Sequence, residues 1–290
     1  MNEPPAAPAQ THGRAGRNLP AAIAIGVGLG AYVVLSLAYL KPAFVVLVAV
    51  ALVLAAVELH EALKKQGMTS AIVLIAIGSV AISFGSYFAG RQEPVIFSTT
   101  SVLLASLALT VIASLIWRMP KGVAGYVRDA AASLLIIGYV PLLGSFGALM
   151  LAEGRGAARI VTFLLIVVMS DTGGYVAGVL FGKHPMAPKI SPKKSWEGVA
   201  GSLVFATVAA ICMAIFVLKV PFWVGIILSV SLVAVGTCGD LIESMIKRDL
   251  GIKDMSSFLP GHGGVMDRLD SLLVAAPIAW LIMYVLVPGG

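Results

Sequence analysis

The stretch from Asp240 to Asp270 reads DLIESMIKRDLGIKDMSSFLPGHGGVMDRLD, and it interrupts a chain that is otherwise mostly apolar. It holds eleven ionisable groups: Asp240, Glu243, Lys247, Arg248, Asp249, Lys253, Asp254, His262, Asp267, Arg268 and Asp270. Apolar runs flank it, roughly 221–246 and 268–288. Each is long enough for a helix that crosses the hydrocarbon core, which takes about 20 residues. Ionisable groups are costly beside hydrocarbon, so such a cluster between two spans marks a working surface. The fold class follows: an all-α polytopic membrane protein.

Composition agrees. The 290 residues are 59% hydrophobic and 12% charged, where a soluble domain carries about 25% charged residues. The net charge of +6 is read as the lysines and arginines of cytoplasmic loops, not as a nucleic-acid surface. Both cysteines, Cys212 and Cys238, lie in apolar segments, so no disulfide framework is expected.

Working outward on the same ruler, about nine spans are expected: roughly 19–39, 43–60, 70–90, 95–117, 129–152, 160–182, 198–218, 221–246 and 268–288. Residues 1–18, rich in Pro, Ala and polar groups, read as a disordered tail. The apolar run behind them is too long for the core of a signal peptide and is taken as the first span. Residues 19–128 read as a transmembrane scaffold and 129–290 as the catalytic region. An N-in, C-out arrangement puts 15 of the 20 lysines and arginines inside and 5 outside. It also sets the two longest polar connections, 183–197 and 247–267, on the cytoplasmic face, with a cavity between them in the C-terminal half.

Three clusters carry chemistry. Asp171, in the run SDTGGY, sits ~18 Å from the cytoplasmic end of its span at 1.5 Å per residue. A carboxylate at that depth calls for a water-filled cavity, a cation or a helix–helix hydrogen bond. Tyr175 and Gly178 follow on the same face. The loop Lys189–Gly198 offers three lysines and two hydroxyls ahead of a helix start, which suits a polyphosphate. Lysines alone are also the ordinary mark of a cytoplasmic edge. The third cluster is Asp240–Asp270 itself. Asp240, Ser244 and Lys247 share a helix face beside Glu243, and a new helix near Met266 puts Asp267 and Asp270 in its first turn. Gly263 and Gly264 let backbone approach a ligand closely. His262 fits a phosphate donor and a structural role equally well. Acids without clustered Cys or His favour a hard, oxygen-loving cation such as Mg²⁺. Carboxylates and lysines around one space form the layout of a metal–polyphosphate site.

The stretch Ser244–Asp270 resembles the signature of the CDP-diacylglycerol synthases, or phosphatidate cytidylyltransferases. It has Ser244, Lys247-Arg248, Lys253-Asp254, His262-Gly263-Gly264 and Asp267-Arg268-Leu269-Asp270 in that order. SDTGGYVAGVLFGK from Ser170 is similar to a second family segment, with Gly174 where Ala is usual, and SPKKSWEG from Ser191 to a third. The resemblance implies the reaction CTP + phosphatidate → CDP-diacylglycerol + pyrophosphate at a bacterial inner membrane. It implies Asp240 and Asp267 as metal-binding carboxylates, with Asp171 lining the cavity to orient metal or water. Lys247, Arg248 and Arg268 would hold CTP or pyrophosphate oxygens. Lys193, Lys194 and Ser195 would hold phosphate, with Lys253, His262, Gly263 and Gly264 around the same anion. Mg²⁺, a second cation such as K⁺, a homodimer and a lipid that enters sideways from the bilayer are also implied; where the lipid binds is not. Three rivals stand beside this reading: a CTP-dependent transferase or kinase for another lipid phosphate or polyprenol, an ion-coupled transporter, and a lipid-binding scaffold. A transporter would show repeat-related broken helices at mid-membrane. A scaffold leaves the carboxylates at two helix ends unexplained.

Overall fold

Backbone groups in hydrocarbon must satisfy one another, so apolar runs of this length fold as helices. A computed structural model describes residues 19–89, 97–256 and 263–288. It contains helices α1 (Leu19–Tyr39), α2 (Lys41–Lys65), α3 (Ile72–Ala89), α4 (Thr99–Arg118), α5 (Tyr126–Ile137), α6 (Leu143–Ala152), α7 (Gly156–Phe181), α8 (Trp196–Cys212), α9 (Phe222–Asp249) and α10 (Met266–Leu286). A π-turn at Gly138–Leu142, which contains Pro141, joins α5 to α6, and another at Met213–Leu218 extends α8. Among the described residues, eight helices are long and apolar enough to cross a membrane, and Gly26–Tyr39 is a shorter apolar helix. The chain is therefore an integral membrane protein. The expected tail and His262 lie outside the described residues.

Span ends match the expected ones to within a few residues. One element was not expected: a two-stranded antiparallel hairpin, β1 (Pro185–Ala187) and β2 (Ser191–Ser195), between α7 and α8.

Hydrogen bonds between connections establish which helix ends share a face. The Gln66 amide behind α2 donates to Leu250 O behind α9 at 2.9 Å. Thr69 N donates to Asp129 Oδ1 at the start of α5, and Arg118 at the end of α4 reaches Asp129 Oδ2 at 2.6 Å. Arg248 Nε faces Ile190 O in the hairpin. The basic connections thus lie together at one end of the bundle. At the other end Arg155 donates to Val217 and Leu218 O, and fully buried Arg159 donates to Met283 O at 2.6 Å and Val287 O at 2.9 Å.

The buried apolar residues form separate clusters, the larger ones drawing on both halves of the chain. Leu37, Phe44 and Tyr87 from the first three helices pack with residues of α6 through α10. A second cluster joins Leu52, Ala56 and Leu59 of α2 to Met266 and Leu273 of α10. Helices α7 and α8 meet backbone to backbone. A Cβ at Gly173 would fall 2.5 Å from Gly201 O, and one at Gly201 would fall 2.5 Å from Gly173 O. Small residues on both faces permit that approach, as in other membrane helix pairs.

Candidate active site

The α7–α8 contact sets the first wall of the site. Ser202 Oγ on α8 donates to Ser170 O on α7 at 2.7 Å. A Cβ at position 174 would lie 2.5 Å from that same Oγ. Gly174, the one departure from the resembled segment, therefore makes room for Ser202. Asp171 is carried into a cavity of about 240 Å³ lined also by Tyr175, Lys193, Lys194, Ser195, Asp240 and Ser271. Five elements contribute: α7, β2, α8, α9 and α10. The segments that stood out separately in the sequence converge on one space.

The hairpin is fastened from below. Glu197 accepts the backbone N–H groups of Lys183 and His184, each at 3.2 Å, and His184 Nδ1 at 2.6 Å. Ser195 is the N-cap of α8: its Oγ accepts Gly198 N at 3.1 Å. These bonds aim Lys193 and Lys194 across the space. The Lys194 ammonium pairs with Asp240 Oδ2. Asp171 lies within electrostatic reach of Asp240, Lys194 and Arg268.

Next to this cavity is a second ionic group, and it is closed. Lys247 Nζ contacts Glu243 Oε2 at 2.5 Å and Asp267 Oδ1 at 2.9 Å. Asp267 Oδ2 accepts Gly264 N at 2.7 Å and Met255 N at 3.2 Å. The Asp267 side chain is 8% exposed, and it is absent from the lining of the 240 Å³ cavity. Gly263 has φ +80, in the left-handed region, and a Cβ there would meet Asp267 Oδ2 at 2.9 Å. Arg248 faces the hairpin, as described, and Lys253 is exposed on the connection.

Sequence reasoning missed Glu58. This α2 residue is buried. Its Oε1 accepts Ser256 Oγ at 2.6 Å and Val265 N at 2.9 Å, and its Oε2 accepts Met266 N at 2.8 Å. It caps α10, where unpaired N–H groups and the helix dipole favour an anion. A Cβ at Gly264 would lie 2.5 Å from Glu58 Oε2, so that glycine admits the carboxylate. The only signal in the sequence was an acid in an apolar run, two residues before His60.

The donor set suits a particular kind of cation. Among the described residues, no three acidic, histidine or cysteine side chains gather closely enough to form a metal cage. Asp171 and Asp240 nevertheless share the cavity. Mg²⁺ is held in just this way, by one or two carboxylates, with water and substrate phosphate completing the shell. The residues fit Mg²⁺ of that kind and do not single out a place for a monovalent cation.

A space shared by carboxylates, lysines and a helix N-terminus, at the basic end of a helical membrane bundle, has the chemistry to take a phosphate compound. The chain belongs to the cytidylyltransferase family, whose model matches residues 20–286. It is 43% identical over 289 residues to a phosphatidate cytidylyltransferase of Mycobacterium leprae, covering 94% of this chain and 90% of that protein. It is 38% identical over 292 residues to the protein of that name in Mycobacterium tuberculosis H37Rv, covering 96% and 86%. A phosphatidate cytidylyltransferase of Haemophilus influenzae is 46% identical over 130 residues, covering 42% of this chain and 44% of that one.

Proposed function

We propose that this protein transfers a cytidylyl group from CTP to phosphatidate, giving CDP-diacylglycerol and pyrophosphate. The convergence of Asp171, Lys193, Lys194, Ser195 and Asp240 on one cavity carries the reading. A phosphate oxygen of the lipid attacks the α-phosphorus of CTP. The bond from that phosphorus to the bridging oxygen breaks, and pyrophosphate leaves with the electron pair. The nucleophile is already ionised, so the residues act by positioning and by matching charge. Lys193 and Lys194 hold polyphosphate oxygens at the N-terminus of α8, and Arg268 and Arg248 hold phosphate at the neighbouring helix ends. Asp171 and Asp240 would hold Mg²⁺, which supplies charge neutralisation when bound. For Asp267 to serve as a further metal carboxylate, it would exchange Lys247 for the metal. Otherwise Asp267, Lys247 and Glu243 set the position of α10. His262, Gly263 and Gly264 are assigned to the same anion, and Lys253 draws nucleotide in from water.

The proposal extends to placement. Nine crossings, with α1 as the first, put the N-terminus and the cavity in the cytoplasm of a bacterium, with the first four helices as support and a homodimer as the working form. The 15-to-5 bias of basic residues supports it. A cysteine introduced by Ser195→Cys should react with an impermeant thiol reagent from the cytoplasmic side alone, and labelling from outside would reverse the orientation. The reaction is tested by pyrophosphate release from purified protein with Mg²⁺ and CTP. Release that requires phosphatidate and yields a cytidine-bearing lipid is expected; CDP release would identify a kinase instead.

A further inference from the structure

Helices α4 and α5 both belong to membrane spans, and residues 122–125 alone separate the end of one span from the start of the next. So short a link stays at the membrane surface, at the basic end of the bundle. Gly122 and Gly125 take the left-handed φ values, +80 and +73, that its tight course requires. Buried Arg118 fixes the rest. Besides its bond to Asp129, it donates from Nη1 to Gly122 O at 3.0 Å and from Nη2 to Ala124 O at 2.6 Å. The Tyr126 hydroxyl donates back to Leu115 O at 3.2 Å.

What this link presents outward is of two kinds. Val123 is 93% exposed and Val127 79%, and Trp117 and Met119 are exposed as well. Lys121 stands over the Trp117 ring, its Nζ 4.1 Å from the ring centre. Arg128 is exposed. A Cβ at Gly67 would lie 3.9 Å from its Nη1, and one at Gly125 would lie 3.8 Å from its Nη2. The guanidinium therefore sits between this link and the turn behind α2, where Lys65 is exposed. Among the described residues, none of Lys65, Lys121 and Arg128 forms a salt bridge. The nearest acid in the chain, Asp129, is buried and committed to Arg118 and Thr69 N.

Aliphatic side chains this exposed, fixed between two spans, belong at the boundary of headgroups and acyl chains, where Trp is also enriched. Cations without counter-ions at the same level select anionic headgroups. A second copy of this chain is a poor partner, because a twofold contact would set these like charges against each other. We infer that residues 117–128, together with Lys65, form a binding surface for an anionic phospholipid of the surrounding bilayer. Lys65, Lys121 and Arg128 take the headgroup charge, while Val123, Val127 and Met119 meet the upper acyl chains. The surface uses none of the residues assigned to the reaction above, and the inference stands apart from it.

Trp117 supplies the probe. The protein is placed in phosphatidylcholine nanodiscs holding a small, fixed fraction of a lipid with brominated chains, either phosphatidylglycerol or phosphatidylcholine. The difference in quenching between wild type and Trp117→Phe isolates this one indole. Brominated phosphatidylglycerol should quench it about fivefold more effectively than brominated phosphatidylcholine, the enrichment that a single basic residue near the surface produces. Lys121→Gln combined with Arg128→Gln should bring the two lipids level, with thermal unfolding unchanged. Lys219→Gln, exposed at the opposite end of the bundle, is the control and should leave the preference alone. If the double variant does not fold, high salt does its work in the wild type, because screening should erase the preference. Equal quenching by the two lipids in wild-type protein would overturn the inference. So would a preference that survives both the double substitution and high salt.

Discussion

Two lysine–carboxylate groups stand close together in this protein, and they differ in what surrounds them. Lys194 and Asp240 face a cavity, with side chains 25% and 28% exposed. Lys247, Glu243 and Asp267 are packed at the root of α10, at 15%, 1% and 8%. The first pair can exchange each other for a ligand, because water and a phosphate can reach them. In the second, Asp267 is committed to protein, receiving Lys247, Gly264 N and Met255 N, while Glu243 meets Lys247 through Oε2 and keeps Oε1 buried without a hydrogen bond. On the reading proposed above, similar chemistry does two jobs: one group is placed to meet substrate, and the other packs at the start of α10.

The largest expected effect is on the open group. Asp240→Asn keeps shape and removes charge where phosphate charge must be organised. Turnover should fall by about 10²–10³-fold, the range seen when one group that stabilises a transition state is lost. Thermal unfolding in detergent should change little. Near-normal turnover would remove Asp240 from the reaction and erase the contrast. Asp267→Asn should fail differently. It should lose turnover and about 3 kcal/mol of stability, the low end for breaking a buried ion pair, because Glu243 still faces Lys247. Lost turnover with unchanged unfolding would instead put Asp267 among the groups that meet the ligand.

Glu58 sharpens the contrast from the other side of α10. In Glu58→Gln one carboxylate oxygen becomes an NH₂ that must face a backbone N–H, donor against donor. The expected cost is about 1.5–3 kcal/mol, that of a hydrogen bond to a charged group, with a roughly tenfold fall in kcat and little change in KM for CTP. A shift in KM alone would mean that Glu58 acts on nucleotide and not on the position of α10.

How much of this could be read in advance depended on the length scale. The spans were legible because each needs about 20 apolar residues, and a long signal survives errors of a few residues at its ends. Asp171 and Asp240 stood out as acids in or at the end of an apolar span, and Lys194 stood out only as one of several loop lysines; their sharing of one cavity came from the structure. The hairpin was not, because five residues reading SPKKS carry no strand period. Glu58 fell without comment inside the span expected at 43–60. Its partners are backbone groups some two hundred residues away, and no local pattern encodes them. Arg159 was counted as an outer-loop charge. In the structure it is 2% exposed and ties down the C-terminal end of α10. Helix α10 thus has an acid on its positive end and an arginine on its negative end, each supplied by a different helix.

The smallest effect gives the most direct comparison of the two groups. A double-mutant cycle isolates the energy between two partners once the costs of each single change are subtracted. For Lys194 and Asp240, partly solvated, the stability coupling should be at most about 1 kcal/mol, as for ion pairs near water. For Lys247 and Asp267, buried and hydrogen-bonded on their other sides, it should be larger, because desolvation makes each partner depend on the other. Lys194→Met with Asp240→Asn, and Lys247→Met with Asp267→Asn, measured by thermal unfolding in one detergent, supply both numbers. An open pair coupled as strongly as the closed one would mean that Lys194 and Asp240 are structural too. The cavity would then need to find its cation and its phosphate through Asp171, Lys193 and Arg268 alone.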